Sequence, residues 1–86
     1  MMNEGTYTKD LLTQAVLMHA NGLKRFALSL CQNESESEEL VGETVVKAFE
    51  NYTRLKDQTK IKQWLFRILN NHFISIYRRY SIGRTK

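Results

Sequence analysis

Polar and basic side chains recur along one amphipathic stretch near the end of the chain, residues 64–80 (WLFRILNNHFISIYRRY). Asn71, Ser75 and Arg78 follow one another at steps of four and three, so a helix places them on one face. Arg attracts phosphates, and Asn and Ser hydrogen-bond to phosphates or to base edges. These residue types predict contact with a nucleic acid. The outward set of the stretch comprises Arg67, Asn70, Asn71, Ser75, Arg78 and Arg79.

Aromatic residues are interleaved with this polar set. Their flat rings can stack on unpaired bases or anchor a protein core. We favour the core for Trp64 and Phe73, and we expect Trp64 to be substantially buried. Arg78 and Arg79 could also serve only as partners of the helix dipole, but we favour nucleic acid because many donors and few acids share the helix. The aromatic residues concerned are Trp64, Phe66, Phe73, Tyr77 and Tyr80.

Charge is distributed unevenly along the chain, whose net charge is +4. Residues 1–53 hold four Lys or Arg and eight Asp or Glu, whereas residues 54–86 hold nine and one. A basic third of a small chain is the electrostatic footprint of a polyanion partner. The acidic stretch at residues 34–43 cannot share that partner, which suggests a second surface. A solvated basic tail with ordinary helix-cap acids explains the charges alone equally well.

We find no catalytic constellation and no metal or cofactor site in the sequence. His19 and His72 lie on different predicted helices without metal-ligand spacing, and Cys31 ends an amphipathic helix, where a free Cys is usually a small packed hydrophobe. Glu39 and Glu43 share a helix face and could be imagined as an acid–base pair. A solvated or partner-binding face is the better interpretation, for them and for neighbouring Glu36 and Glu38. We therefore expect a protein that is not an enzyme.

Length and composition bound the fold. Eighty-six residues make about one small domain, and the absence of Pro with only four Gly favours long helices over a turn-rich β-sandwich. A single Cys excludes an internal disulfide and fits a reducing compartment. No apolar run approaches the roughly 20 residues of a membrane span, and the first residues do not resemble a signal peptide. These features exclude secreted, membrane-inserted and zinc-finger classes and predict a cytoplasmic protein.

Helical periodicity predicts three segments. The first runs from about residue 9 to 32, and the second from a capping box of Ser35 and Glu38 to about Tyr52. A polar loop follows, and Thr59 or Asp57 caps a third segment that ends near residue 80, before Gly83. The predicted core faces comprise Leu12, Val16, Leu23, Phe26, Ala27 and Leu30 in the first segment, Val41, Val45, Ala48, Phe49 and Tyr52 in the second, and Ile61, Leu65, Ile68, Leu69, Phe73 and Ile76 in the third. We expect an all-α bundle of three helices, with four as the alternative count.

Two motifs in fixed order resemble a known family. S-E-E-L-V-G-E-T-V-V-K-A-F at residues 37–49 precedes W-L-F-R-I-L-N-N at residues 64–71 and Y-R-R at residues 77–79. This order and spacing are similar to region 2 of bacterial sigma factors of the extracytoplasmic-function (ECF) group. The resemblance covers residues 10–80, with residues 1–9 as an N-terminal extension. Residues 81–86 would be a basic tail or the start of a linker to a region 4 domain that the sequence lacks.

The resemblance implies a module that binds the β′ clamp helices of core RNA polymerase and helps to melt the promoter −10 element. The loop at residues 53–60 would capture a flipped base, the basic helix would hold the non-template strand, and an anti-sigma factor is a further partner. The polymerase-binding set it implies is Glu39, Leu40, Glu43, Thr44 and Lys47. The DNA-binding set is Arg54, Lys56, Lys60, Lys62, Arg67, Asn70, Asn71, Ser75, Arg78 and Arg79.

One alternative function stays open. Gly42 stands where this family usually has Gln, and Ser75 stands where it commonly has Asp. A helical protein-interaction module that binds polymerase or an anti-sigma factor without reading DNA fits these departures. The basic face of the third helix favours the DNA-binding interpretation, since an interaction module has little use for it.

Overall fold

The computed structural model describes the backbone of residues 8–84 and the side chains of residues 8–76. This part of the chain folds into three α-helices, α1 (Lys9–Cys31), α2 (Glu34–Asn51) and α3 (Ile61–Arg84). Two short 3-10 turns, Tyr52–Arg54 and Gln58–Lys60, connect α2 to α3. No strand occurs among the described residues, so the predicted all-α, three-helix class is confirmed.

A two-residue link turns α1 back along α2. Gln32 adopts the left-handed conformation (φ 55°), and its N–H donates to the Leu28 carbonyl at 2.7 Å, which closes the last turn of α1. Such a short connection joins antiparallel neighbours. Lys24 Nζ accordingly lies 3.7 Å from Glu38 Oε2 across the pair.

The start of α2 differs from the prediction. Asn33 is the N-cap residue, and its Oδ1 accepts a hydrogen bond from the Glu36 N–H at 2.9 Å. The predicted capping box of Ser35 and Glu38 is therefore wrong, because Asn33 begins the helix two residues earlier and leaves Ser35 inside the first turn.

The core is built from all three helices and from the connection between α2 and α3. The predicted face of α1 is confirmed, with Val16, Phe26 and Leu30 half-buried around its centre. Leu55 reaches into the core from the otherwise polar connection. The fully or almost fully buried apolar residues are Leu12, Leu23, Ala27, Leu40, Ala48, Leu55, Leu65 and Leu69.

Helix α2 faces the core with a stripe that matches the predicted one only in part, since Ala48 is buried as predicted. Its buried residues are Ser37, Leu40, Thr44 and Ala48, whereas Val41 and Phe49 pack at the margin. Thr44 and Ser37 are both fully buried. Their hydroxyls are nevertheless hydrogen-bonded, since Thr44 Oγ1 donates to the Leu40 carbonyl and Ser37 Oγ donates to the Glu34 carbonyl, each at 2.8 Å. A hydroxyl paired within its own helix leaves no unsatisfied polar group in the core.

Helix α3 crosses α1 at a small residue. The Phe66 ring lies 5.5 Å from the Phe26 ring, centroid to centroid, and its tip covers Gly22. Trp64 packs against the core and keeps only a minor part of its surface exposed, so the expectation of substantial burial is confirmed. Its position on α3 is shifted from the buried Leu65 and Leu69, which lie one turn apart on the core side.

Helix α3 also extends beyond its predicted end near residue 80. The helix continues to Arg84 and includes Gly83. A single glycine lowers helix propensity by about 1 kcal/mol but does not by itself end a helix. In the described part of the chain, no helix combines the length and the apolar character needed to cross a membrane.

The two glycines within α1 and α2 give matched predictions. A Cβ added at Gly42 meets nothing within 4 Å, whereas one added at Gly22 lies 3.3 Å from Phe66 Cζ. We expect Gly42→Ala to stabilise the fold by about 1 kcal/mol, the gain in helix propensity. Gly22→Ala gains the same propensity but crowds Phe66, so it should stabilise less or destabilise. Urea unfolding followed by circular dichroism measures both, and an equal gain for both variants would contradict the packing of Phe66 on Gly22.

Candidate nucleic-acid interface

A groove of about 500 Å³ lies between the C-terminal half of α2 and the middle of α3. Helix α3 supplies side chains at steps of three and four, so they share one face above the core stripe. Helix α2 supplies two residues one turn apart, and the first 3-10 turn adds an arginine. The lining residues are Lys47, Asn51, Arg54, Trp64, Arg67, Ile68, Asn71, His72 and Ser75.

Positive charge in the groove is uncompensated. Lys47, Arg54 and Arg67 converge on it from three different elements, and no Asp or Glu of residues 8–76 lines it. Among the described side chains, the one ion pair joins Lys24 to Glu38, away from the groove. Cations that line a concave surface without acidic partners raise the local concentration of anions. The groove is therefore suited to phosphate groups.

Neutral polar groups stand beside these cations. Asn51 Nδ2 donates to the Lys47 carbonyl at 2.8 Å, which holds the amide in place on α2. Asn71 and Ser75 are exposed on α3. The half-buried Trp64 adds an aromatic surface to the same groove. Amides and hydroxyls hydrogen-bond to bases and phosphates, and an aromatic ring can stack on an unpaired base.

The connection that carries Arg54 is fixed at both of its turns. Leu55 is buried, and its N–H donates to the Tyr52 carbonyl at 3.1 Å. Asp57 caps the second turn, because its Oδ1 accepts from the Thr59 N–H at 3.1 Å and from Thr59 Oγ1 at 2.6 Å. These two hydrogen bonds, the hydroxyl bond first, lower the pKa of the Asp57 carboxyl. The sequence predicts Thr59 or Asp57 as the cap of the third segment, and Asp57 caps the 3-10 turn Gln58–Lys60, which leads directly into α3.

The structure divides the DNA-binding residues that the sequence predicts. Arg54, Arg67, Asn71 and Ser75 come together in the groove. The remaining described ones do not line it: three lysines lie exposed on the connection and on the first turn of α3, and one asparagine is half-buried. These four are Lys56, Lys60, Lys62 and Asn70. The side chains of Arg78, Arg79, Tyr77 and Tyr80 lie outside the described residues, as do residues 1–7 of the predicted N-terminal extension and residues 85–86 of the tail.

Sequence reasoning did not assign five members of the groove to DNA. Asn51 and His72 were given no binding role, Lys47 was assigned to polymerase, and Trp64 and Ile68 were expected in the core. The available signal was the four-residue step from Lys47 to Asn51, which puts both on one side of α2. Nothing in the sequence shows that this side meets α3.

The outward side of α2 carries exposed carboxylates. Glu39 and Glu43 are exposed, whereas Leu40 and Thr44, which the resemblance also implies as polymerase contacts, are buried in the core of the free domain. A buried side chain cannot contact a partner unless the bundle opens. Lys47, the fifth residue of that set, lines the basic groove. The exposed carboxylates of the set are Glu39 and Glu43.

Chemistry at Cys31 is disfavoured by its surroundings. Burial raises the pKa of the Cys31 thiol, and the charge of Glu36 raises it further. In the part of the chain that the structure describes, no cluster of three His, Cys, Asp or Glu side chains is arranged to hold a metal ion.

The family model for sigma-70 region 2 matches residues 15–81 of the chain. The chain belongs to the sigma-70 region 2 family. Over 70 residues it is 36% identical to the ECF RNA polymerase sigma factor EcfG of Rhodopseudomonas palustris (strain TIE-1), covering 81% of this chain and 39% of that protein. Over 63 residues it is 33% identical to the ECF RNA polymerase sigma factor SigM of Bacillus subtilis (strain 168), covering 73% and 38%.

A further relative of this region 2 chain is the RNA polymerase sigma factor SigV of Bacillus subtilis (strain 168). The two are 27% identical over 78 residues, which cover 91% of this chain and 47% of that protein. The chain thus spans less than half the length of each of these three relatives. No solved structure matches it significantly. The family match includes the α2 and α3 residues that line the groove.

Removing the Asp57 cap should loosen the connection that presents Arg54. We expect Asp57→Ala to lower the midpoint of thermal unfolding modestly at neutral pH, because both hydrogen bonds from Thr59 are lost. Thr59→Val keeps the backbone bond and loses only the hydroxyl bond, so it should have an intermediate effect. The lowered pKa means that ionised Asp57 stabilises the fold above the ordinary aspartate pKa. The difference from the parent should therefore shrink as the pH falls below about 4. A constant difference through that range would contradict the capping role of the carboxylate.

Proposed function

We propose that this chain acts as region 2 of an ECF-type sigma factor, a non-enzymatic module of transcription initiation in the cytoplasm. It binds core RNA polymerase through the outward side of α2. It holds the non-template strand of the melted promoter −10 element against the basic groove. The observation that carries the proposal is the convergence in one groove of Trp64, Asn71 and three cations that form no ion pair with any described side chain. The relatives are named RNA polymerase sigma factors, which supports the same function.

The groove combines cations with an amide and an aromatic ring, so it suits single-stranded DNA, whose bases are accessible, better than a duplex bound only through its phosphates. Lys47, Arg54 and Arg67 attract phosphates whatever the sequence. Asn71 adds an amide that can distinguish bases, and Trp64 adds a ring that stacks on an unpaired base. Extruding or unpairing a base costs a few kcal/mol, which such contacts offset. Strand binding by this groove therefore favours the melted state of the promoter.

The acidic side of α2 suits a basic protein surface. Glu39 and Glu43 are exposed one turn apart, and neither is paired with a cation within the described residues. These two carboxylates would repel a nucleic acid, so the outward side of α2 would remain available to a second partner. Charge complementarity with a basic clamp surface would speed docking and fix its orientation.

Strand binding should depend on Arg67 and Asn71 in different ways. We expect Arg67→Ala to weaken binding of every single-stranded oligonucleotide and to reduce the salt slope by about 0.7, one phosphate contact. Asn71→Ala should leave that slope unchanged and reduce the preference among sequences, since an amide reads base edges and carries no charge. Fluorescence anisotropy with core polymerase present, over a salt series and a panel of sequences, measures both.

The control for this experiment is Arg25→Ala, which removes an equal charge from an exposed position on α1 outside the groove. It should behave as the parent does. If Arg67→Ala bound with the parent's strength and slope, DNA binding would not reside in the groove. A protein-interaction module without DNA reading would then be the better function.

Polymerase docking should depend on the outward carboxylates of α2. We expect reversal of Glu39 and Glu43 to Lys to weaken binding to a β′ clamp-helix fragment at least about tenfold while the helical circular dichroism is retained. Reversal of Glu34 and Glu38 is the matched control, with the same spacing and charge change, on the side where Glu38 pairs with Lys24 of α1. Equal losses for both pairs would show an effect of net charge alone and remove docking from this side.

A further inference from the structure

Helix α1 exposes a group of large apolar side chains on the side that faces away from the core. Of the seven large apolar residues that are exposed among the described side chains, four lie on this helix. Leu17 and Met18, at its middle, are the most exposed of the seven, at 71% and 75% of their surface. Single exposed apolar residues are ordinary, whereas a group on one side of a helix indicates a contact. The four are Leu11, Leu17, Met18 and Leu28.

Charged residues flank the two central apolar ones symmetrically. Asp10 precedes Leu17 by seven residues, and Arg25 follows Met18 by seven. Because a step of seven is about two helical turns, all four lie on the outward side of α1, and all are exposed. Among the described side chains, neither Asp10 nor Arg25 forms an ion pair. This side of α1 therefore carries a negative charge near its start, a positive charge near its end and apolar surface between them.

Such a pattern is complementary to itself when two copies of α1 pack antiparallel. A two-fold axis between Leu17 and Met18 sets Asp10 of each copy opposite Arg25 of the other. The same axis sets the exposed amides Gln14 and Asn21, three residues to either side of the apolar pair, opposite each other. Unlike groups therefore meet across the whole contact, as an isologous interface requires. A parallel pair would bring each charge against its own copy, which disfavours that orientation.

We propose that a second copy of this chain packs on the outward side of α1, in an antiparallel α1–α1 dimer centred on Leu17 and Met18. The apolar pair provides the contact, and Asp10 with Arg25 fixes its orientation. The inference goes beyond the proposed function and does not depend on it. The groove is lined from α2, α3 and the turn between them, so an α1–α1 contact leaves the grooves of both copies open.

A contact between single helices makes a reversible dimer. Helix α1 has 23 residues and is about 35 Å long. One such helix pair buries less than the roughly 1,600 Å² of a standard stable interface, and small interfaces are typical of transient association. We therefore expect a monomer–dimer equilibrium at micromolar protein. Well below that concentration the chain is a monomer, so Arg25→Ala still serves as the control for strand binding.

Sedimentation velocity of the full chain over a concentration series tests the apolar contact. We expect the double variant Leu17→Gln, Met18→Gln to raise the dimer Kd at least about tenfold, because it removes apolar surface from both copies. Gln has a helix propensity similar to those of Leu and Met, so the circular dichroism should not change. Val46→Gln is the matched control, since it removes an exposed apolar side chain from α2 and should leave the Kd unchanged.

Charge reversal tests the antiparallel orientation. Arg25→Glu sets two carboxylates opposite each other at both symmetric contacts, so it should raise the Kd about threefold to tenfold at low salt. Adding Asp10→Lys to that variant restores unlike charges and should recover most of the parent's affinity. Lys62→Glu, with the same change of charge at an exposed position on α3, should have no effect on the Kd. In a parallel dimer Arg25→Glu would exchange one like pair for another, and Asp10→Lys would rescue nothing.

Several outcomes would overturn the dimer. One is a parent chain that stays monomeric up to millimolar concentration. Another is self-association that the double variant Leu17→Gln, Met18→Gln leaves unchanged or that Val46→Gln weakens equally, since either result removes the contact from α1. Failure of Asp10→Lys to rescue Arg25→Glu would contradict the antiparallel register. If the parent does not self-associate but the double variant weakens binding of core polymerase, this side of α1 belongs to polymerase instead. None of these results affects strand binding in the groove, which Arg67→Ala tests separately.

Discussion

The rotation of α2 about its axis depends on two buried hydroxyls. Ser37 and Thr44 are fully buried, and each donates to a carbonyl of its own helix at 2.8 Å. Because both hydroxyls are hydrogen-bonded within the helix, Ser37, Leu40 and Thr44 can face the core together. Val41, although apolar, lies at the edge of the core and is only partly buried. Because this face of α2 is buried, the directions of its other side chains are fixed as well. This burial directs Lys47 and Asn51 into the groove and leaves Glu39 and Glu43 outward.

The groove in turn depends on how α3 is held. Phe66 packs on Gly22 and Phe26 of α1, and the buried Leu65 and Leu69 fix the core side of α3. Trp64, Arg67, Asn71 and Ser75 follow at helical steps on the adjoining side, so a rigid helix presents them together. The cations there gain nothing from ion pairs in the described part of the chain. Their mutual repulsion is a cost to the free fold that a bound anion removes, which is typical of a binding surface and not of a stabilising one.

The sequence predicts what local periodicity controls and misses what depends on tertiary placement. The three helices and the core side of α1 follow from runs of Leu, Phe and Ala at steps of three and four. The face of α2 was predicted only in part, because an apolar pattern finds Val41, Ala48 and Phe49 but counts Ser37 and Thr44 as polar and cannot include their bonds to helix carbonyls. The start of α2 was misplaced because Asn33 and Ser35 are both good N-cap residues. Leu55 was hidden within a polar loop whose periodicity gives no sign of burial.

The residues of the candidate site also fall into those that spacing within one helix predicts and those that depend on how the helices pack. Arg67, Asn71 and Ser75 were predicted because they recur on one helix, and spacing within a helix is readable from sequence. Lys47 was placed with the acidic residues because the family resemblance implies a polymerase-binding role for it. The pairing of the end of α2 with the middle of α3 is a tertiary fact, so Asn51 and His72 could not be found.

The two surfaces of α2 are adjacent, and their order along the helix constrains how the module works. Glu39, Glu43, Lys47 and Asn51 follow at steps of four, so charge changes sign within a single turn. A Glu four residues before a Lys is well placed for an ion pair, yet among the described side chains Lys47 forms none and lines the groove. The two charges therefore remain available to different partners. A polyanion drawn to Lys47 meets carboxylates one turn away, and a basic partner drawn to Glu43 meets a cation at the same distance. Under the proposed function, repulsion would keep each partner from the other's side, and such repulsion contributes to specificity together with attraction.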